Sequence, residues 1–357
     1  MNEPAYLDWA ATAPMRAEAA AAMADAAARL MSGEWANPSA VHGPGRAARR
    51  ALNAARDRIA AFFRVPADSL IFTSGGTEAL ALALNGADAT ARLVGATEHP
   101  AVLEAAPAAP RIPVDGRGLA QLPEIPARAL VAIQHANNET GVVQDMASIT
   151  AAVHGAGARL LADCVQSAGK LPIPPADFVA ISAHKLGGPM GVGALIVRCK
   201  DDFHGQQKGG GQEQGWRGGT ENLLGILGWA AALDAWDANF PARAAALQSL
   251  LEREALALGA RVNGAGAPRL PTITSLHLPG VPAATQLMQL DMAGIAVSQG
   301  SACSSGTLKA SPVLQAMGLA EAAGQSLRIS TGWATTEADI VRFLAAYAPL
   351  ARRANAA

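Results

Sequence analysis

Residues 69–84 read SLIFTSGGTEALALAL. A short apolar, β-prone run meets a pair of glycines, and an Ala/Leu stretch of helical character follows at once, so the passage predicts strand, tight turn and helix. The same alternation extends on both sides. Between residues 18 and 197 the runs ARLVGAT (91–97), ALVAIQH (129–135), ARLLAD (158–163), DFVAIS (177–182) and GALIVR (193–198) are separated by Ala-rich helical stretches. Near-continuous apolar strands alternating with helices predict a mostly parallel α/β sheet covered on both faces.

Beyond this region a Gly-rich passage, KGGGQEQGWRGGTEN (208–222), precedes apolar stretches from 223 to about 258, expected to be helices joining two domains. From about 261 the pattern is strand (TITSLHL), helix (AATQLMQLDMAG), strand (IAVSQG), helix (SPVLQAMGL), strand (SLRIS) and a last helix opened by a Thr336/Asp339 capping box. This predicts a smaller α+β domain. The expected division is 15–245 for the large domain, with 1–14 and 246–357 forming the small one.

The chain has 357 residues, half of them hydrophobic, enough for two cores. Lys plus Arg number 28 against 29 Asp plus Glu, and neither sign gathers into a run. No electrostatic footprint for nucleic acid or an anionic membrane follows, and a small molecule is the expected partner. The N-terminal stretch lacks a basic segment followed by an apolar one, and no run reaches membrane-spanning length, so a cytoplasmic location is expected. Three cysteines without C-x-x-C spacing argue against a disulfide framework and a thiolate metal site. A cysteine that matters here acts alone.

Several side chains are candidates for chemistry. Lys185, in SAHKLGGPMGVGAL (182–195), follows an apolar strand among small residues, where desolvation lowers an amine's pKa and suits it to Schiff-base formation. A surface lysine in a Gly-rich turn is the plainer alternative. Asp163 ends ARLLAD, 22 residues earlier, so two strand ends of one sheet can present both groups to one crevice. A carboxylate there would keep a pyridine nitrogen protonated; capping the next helix is its common alternative role. The glycines and Thr77 of 69–84 place free N–H groups and a helix N-terminus where phosphate binds. No lysine follows them and G-x-G-x-x-G is absent, so this is not a nucleotide loop.

His99 follows another apolar strand, where an imidazole can stack on a flat ring and relay protons, although a satisfied structural histidine is the more frequent case. Asn138 and Gln166 can hydrogen-bond a ring hydroxyl, although each taken singly is more often a turn or helix-cap residue. Cys303 lies in AVSQGSACSSGTLKAS (296–311), a Ser/Gly/Ala run expected to be mobile, and its thiol is a candidate nucleophile that needs activation. Cys199 and Cys164 read as structural.

Together YLDWAATAP, NPSAVH, FTSGGTEA, TEHPAV, HANNETGVVQD, DCVQSAGK, SAHKLGGPMGVGAL, GGGQEQGWRGGTEN, VSQGSACSSG and LRISTGW resemble, in order and over nearly the whole chain, the NifS/IscS-type cysteine desulfurases. These belong to the class-V aminotransferases among fold-type I pyridoxal-phosphate enzymes. The resemblance implies a large domain with a mostly parallel seven-stranded sheet plus a smaller α+β domain. It implies pyridoxal 5'-phosphate held by Lys185 as a Schiff base, Asp163 on the ring nitrogen, Gln166 and Asn138 beside the ring oxygen, and His99 stacked on the ring. Gly76, Thr77, Ser182 and His184 would bind phosphate, with Thr220 reaching the phosphate of the other subunit of a homodimer. Arg328 would hold the carboxylate of L-cysteine, assisted by Asn138, and Cys303 would accept the sulfur as a persulfide, leaving alanine.

A sulfur-acceptor protein, such as an iron–sulfur scaffold, is the implied partner, although the chain ends at ARRANAA without the longer extension by which some relatives dock one. The stretch around Cys303 resembles the longer-loop branch. Trp9, Cys164 and Gln214 depart from the usual pattern at positions without a proposed catalytic role. An aminotransferase or a selenocysteine lyase would share Lys185 and Asp163, and a non-catalytic binding subunit would share the fold.

Overall fold

A computed structural model describes residues 4–300 and 310–355. Cys303 therefore lies outside the described residues. In chain order the strands are β1 (Ala5–Tyr6), β2 (Leu70–Thr73), β3 (Ala91–Gly95), β4 (Arg111–Ile112), β5 (Ala129–Gln134), β6 (Arg159–Asp163), β7 (Phe178–Ser182), β8 (Gly193–Val197), β9 (Arg261–Val262), β10 (Ile273–His277), β11 (Ile295–Ala296) and β12 (Ser326–Ser330). The helices are α1 (Ala17–Met31), α2 (Gly43–Phe63), α3 (Gly76–Gly86), α4 (Pro100–Ala105), α5 (Met146–Gly155), α6 (Leu223–Asp234), α7 (Phe240–Ala257), α8 (Ala283–Met292), α9 (Pro312–Ala316) and α10 (Glu337–Asn355).

Seven strands form one sheet in the order β2-β8-β7-β6-β5-β3-β4. From β7 to β4 all pairs are parallel, and only β8 runs against its neighbours β7 and β2. Both faces are buried, which explains why the strands read as unbroken apolar runs. Along β6, Leu160 and Ala162 pack with α2, α5 and α6, while Leu161 packs on the opposite face with α3 and Val102 of α4. The alternation of one residue up and one down thus yields a three-layer α/β/α sandwich. The mostly parallel sheet is the architecture read from the apolar runs, and its seven strands are the number that the family resemblance implies.

A second core gathers Ala5 and Leu7 with side chains of α7, α8, β10, β12 and α10. Here β12, β10 and β9 form an antiparallel sheet, and β1 pairs in parallel with β11. The capping box at the start of α10 is formed: Thr336 N and Oγ1 both donate to Asp339 Oδ2, and Asp339 N donates back to Thr336 Oγ1.

Three details differ from the sequence reading. The stretch from 223 to 258 is not a simple connector, because α6 carries the fully buried Trp229 into the large core, and only α7 supplies residues to the second core. IAVSQG yields a strand of two residues, since beyond Ala296 only a single bridge, Ser298 with Arg328, continues the pairing. β4 is absent from the sequence reading because two residues between Pro110 and Pro113 carry no periodic signal.

Candidate active site

The C-terminal ends of the parallel strands open into a cavity of about 500 Å³. This is where open α/β sheets place their ligands. β2 leads to Gly76 and Thr77 at the start of α3, and β3 leads to His99. β5 ends at Gln134 and leads to Asn138, β6 ends at Asp163, and β7 ends at Ser182 and leads to His184 and Lys185. Cross-strand register aligns Gln134 with Asp163, and Ser182 with Gly193. Ten of the residues singled out in the sequence line this one cavity: Gly76, Thr77, His99, Asn138, Asp163, Gln166, Ser182, His184, Lys185 and Arg328.

Lys185 is largely desolvated, and with Arg328 and Lys170 nearby its amine is pushed down to about 7. Its Nζ donates to the carbonyls of Ala10 and Ala11, each at 2.6 Å. Asp163 is buried, and loss of solvent raises its carboxyl to about 6 although Oδ1 accepts the Val165 N–H at 2.9 Å. Near pH 7 it is still mainly a carboxylate. His184 is driven down to about 4 by burial and by Lys185, so it is a neutral imidazole, with Nδ1 3.1 Å from Thr12 Oγ1. Burial and Lys185 likewise lower His99, whose Nδ1 accepts the Ala101 N–H at 3.1 Å and caps α4. This capping fixes the ring, so the structural and chemical roles of His99 coincide.

Packing at the N-terminus of α3 is tight. A Cβ on Gly76 would stand 2.6 Å from Val165 Cγ2, and one on Gly193 would stand 2.7 Å from the backbone of Gly75. Glycine at these positions lets the turn approach the sheet closely and sets Gly76 and Thr77, at the N-terminus of α3, in the cavity wall. On the far side Arg328, from β12, reaches in from the second core with Nη2 2.7 Å from Asp8 Oδ1.

Two expected site residues are not in this group. Cys303 lies outside the described residues. Thr220 lies in a separate hollow with Ser74, Glu213 and Arg217, and does not line its own chain's cavity. Cys164 is fully buried and its thiol is pushed upward by burial, while Cys199 donates to Asp202 Oδ2 at 3.0 Å. Among the described residues no cluster of three or more His, Cys, Asp or Glu could hold a metal ion, and no helix is long and apolar enough to cross a membrane.

The sequence reading missed the carbonyls of Ala10 and Ala11, which carry no side-chain signal, and the wall contributed by Gln134, Leu287 and Val297. It also missed Lys170, whose buried Nζ donates to the Gln166 carbonyl at 2.8 Å and which burial lowers to about 8. Its position at the end of DCVQSAGK, close behind Asp163, was the available signal.

Residues 5–343 match the aminotransferase class-V family. The chain belongs to that family. Among class-V relatives, a cysteine desulfurase of Cereibacter sphaeroides is 38% identical over 98% of this chain and 96% of its own length. One from Frankia sp. is 39% identical over 94% of this chain and 88% of its own. A crystal structure of a NifS-like protein from Rickettsia africae superposes with a TM-score of 0.85 at 30% identity, covering 98% of this chain and 99% of the other. The class-V fold thus accounts for both cores and for the cavity at the strand ends.

Proposed function

We infer that the protein is a cysteine desulfurase, converting L-cysteine to L-alanine and taking up the sulfur on an enzyme cysteine. The observation that carries the chemistry is the meeting of Lys185, Asp163, the start of α3 and Arg328 in one cavity. The donor set fits pyridoxal 5'-phosphate. A partly neutral amine suits its aldehyde, a buried carboxylate suits its ring nitrogen, and the N-terminus of α3 with Thr77, Ser182 and His184 suits its phosphate. Gln166 and Asn138 would flank the ring oxygen, and His99 would cover the ring face. When bound, this cofactor supplies an electron sink for the bonds at the substrate's α carbon.

The chain's own residues supply the rest. Arg328 orients the substrate by its carboxylate, as a planar two-donor group can. Lys185, which would hold the cofactor in the resting enzyme, would also take the α proton of the substrate, which an amine near neutrality can accept and return. The Cys303 thiolate attacks the substrate sulfur. The carbon–sulfur bond breaks toward the substrate, a persulfide forms on Cys303, and the remaining carbon skeleton is protonated and leaves as alanine. A sulfur-acceptor protein, such as an iron–sulfur scaffold, then consumes the persulfide.

The wider reading includes a homodimer in which Thr220 serves the partner's site, a division into 15–245 against 1–14 with 246–357, and a cytoplasmic location. The position of Thr220 outside its own cavity supports the first. Borohydride reduction of the yellow holoenzyme followed by peptide mass spectrometry tests the cofactor assignment. A pyridoxyl group on the peptide carrying Lys185 is expected, and its appearance on Lys170 or on no lysine contradicts the assignment.

A further inference from the structure

The guanidinium of Arg328 is engaged from behind. Nη2 donates to Asp8 Oδ1 at 2.7 Å, Nη1 donates to the Asn138 carbonyl at 2.9 Å and more weakly to the Gly300 carbonyl at 3.5 Å, and Nε is buried with no partner among the described residues. Arg328 is 5% exposed and the Asp8 side chain 22%, so the guanidinium is buried while its counter-ion keeps some contact with solvent. Asp8 does not line the cavity. Its backbone is fixed against the same strand: Asp8 bridges Ser330, Ser330 N donates to the Leu7 carbonyl at 2.8 Å, and Ala10 N donates to Ser330 Oγ at 2.9 Å. The other acid close to Arg328, Glu139, accepts instead from Ser311 Oγ at 2.5 Å. Among the described residues Lys185 is a further cation close enough to Arg328 to be influenced by its charge.

A buried arginine without a counter-charge is costly, because the lost hydration of a full charge amounts to several kcal/mol. A buried arginine with its counter-ion already in place is a weaker attractant for a second carboxylate. We propose that Asp8 is the charge-setting and positioning residue of the carboxylate subsite: it orients Arg328 and holds down the affinity for the α-carboxylate of amino-acid ligands. The proposal rests on Arg328 being the carboxylate-binding group. Its functional sense lies in turnover. L-cysteine and L-alanine carry the same carboxylate, so excess attraction there would hold product as firmly as substrate and slow release without aiding chemistry.

The test uses the holoenzyme and two ligands that differ in one group, L-alanine and ethylamine, each titrated by the change in cofactor absorbance. The ratio of their dissociation constants isolates the carboxylate. In Asp8→Asn the side chain keeps its shape and an accepting oxygen but loses its charge, and the ratio should rise about threefold or more in favour of L-alanine. Asp8→Glu restores the charge and should bring the ratio back toward the wild-type value. Arg328→Gln should lower the ratio at least tenfold.

A merely structural Asp8 predicts the opposite sign, since a disturbed Arg328 binds carboxylate less well. An unchanged or lowered ratio in Asp8→Asn, with Arg328→Gln behaving as stated, overturns the role of Asp8. An unchanged ratio in Arg328→Gln overturns the carboxylate assignment beneath it.

Discussion

Lys185 and Asp163 occupy surroundings that oppose their charges, and each opposition has a measurable sign. With the amine at about 7, the fraction of Lys185 able to attack an aldehyde grows as pH rises through neutrality. Capture of pyridoxal 5'-phosphate by the apoenzyme should accelerate about tenfold per pH unit below 7 and level off above about 8, followed by stopped-flow absorbance. Stability carries the same signature. The unfolded chain holds the Lys185 proton up to the ordinary lysine value of 10.5 while the folded chain releases it near 7, so the unfolded state binds more protons between these values. Wild-type apoenzyme should therefore gain stability relative to Lys185→Met as pH rises across that window, seen in urea midpoints. A constant difference would mean that the amine is not desolvated. Asp163→Asn keeps the shape of the carboxylate but not its charge, and should weaken cofactor retention and lower turnover at least about a hundredfold.

At this scale the sequence was most legible where a residue closes an apolar strand. Asp163 and Lys185 could be placed because a strand end in a parallel sheet has one direction to face, whereas Ser182 entered only through the family resemblance. Asp8 carried no such signal, since its partner lies 320 positions away and is chosen by the pairing of the N-terminal segment with β12.

Elements position these groups through close backbone approach, and the crossing of β8 beside β2 is the critical instance. The three atoms nearest to a Cβ at Gly193 are all backbone, namely Gly75 Cα and C and the Ile181 carbonyl oxygen, each at 2.7 Å. No flexible side chain can yield there. Gly193→Ala should cost roughly 2 kcal/mol or more in a urea titration and should also weaken phosphate retention, because displacement of Gly75 moves the start of α3. A neutral substitution would show that the turn has slack. The six longer strands of the main sheet were readable because burial on both faces makes them continuous apolar runs. β4 was not, being two residues held by its neighbour, and β11 in the second core was read as longer than the two residues that pair with β1. The role of α6 was misjudged for a related reason: a helix apolar on all sides can be central as readily as connecting, and Trp229 decides the matter only once its neighbours are known.

The whole molecule brings two cores together across the cavity, with β12 delivering Arg328 opposite the strand ends that present Lys185 and Asp163. If Thr220 completes the partner's phosphate site, the protein should elute at twice the chain mass, and Thr220→Val should lower cofactor affinity severalfold although Thr220 lies outside its own cavity. A monomer that retains full cofactor affinity would remove that role.

The central claim is sulfur transfer, and it is tested most directly by supplying L-cysteine and a thiol reductant to the holoenzyme and measuring alanine and sulfide together, for wild type and Cys303→Ala. The account predicts equimolar alanine and sulfide from wild type, and loss of both in the variant while its Schiff-base absorbance persists. Sulfide released at the wild-type rate by Cys303→Ala, or a yellow wild-type protein that yields neither product, would contradict it.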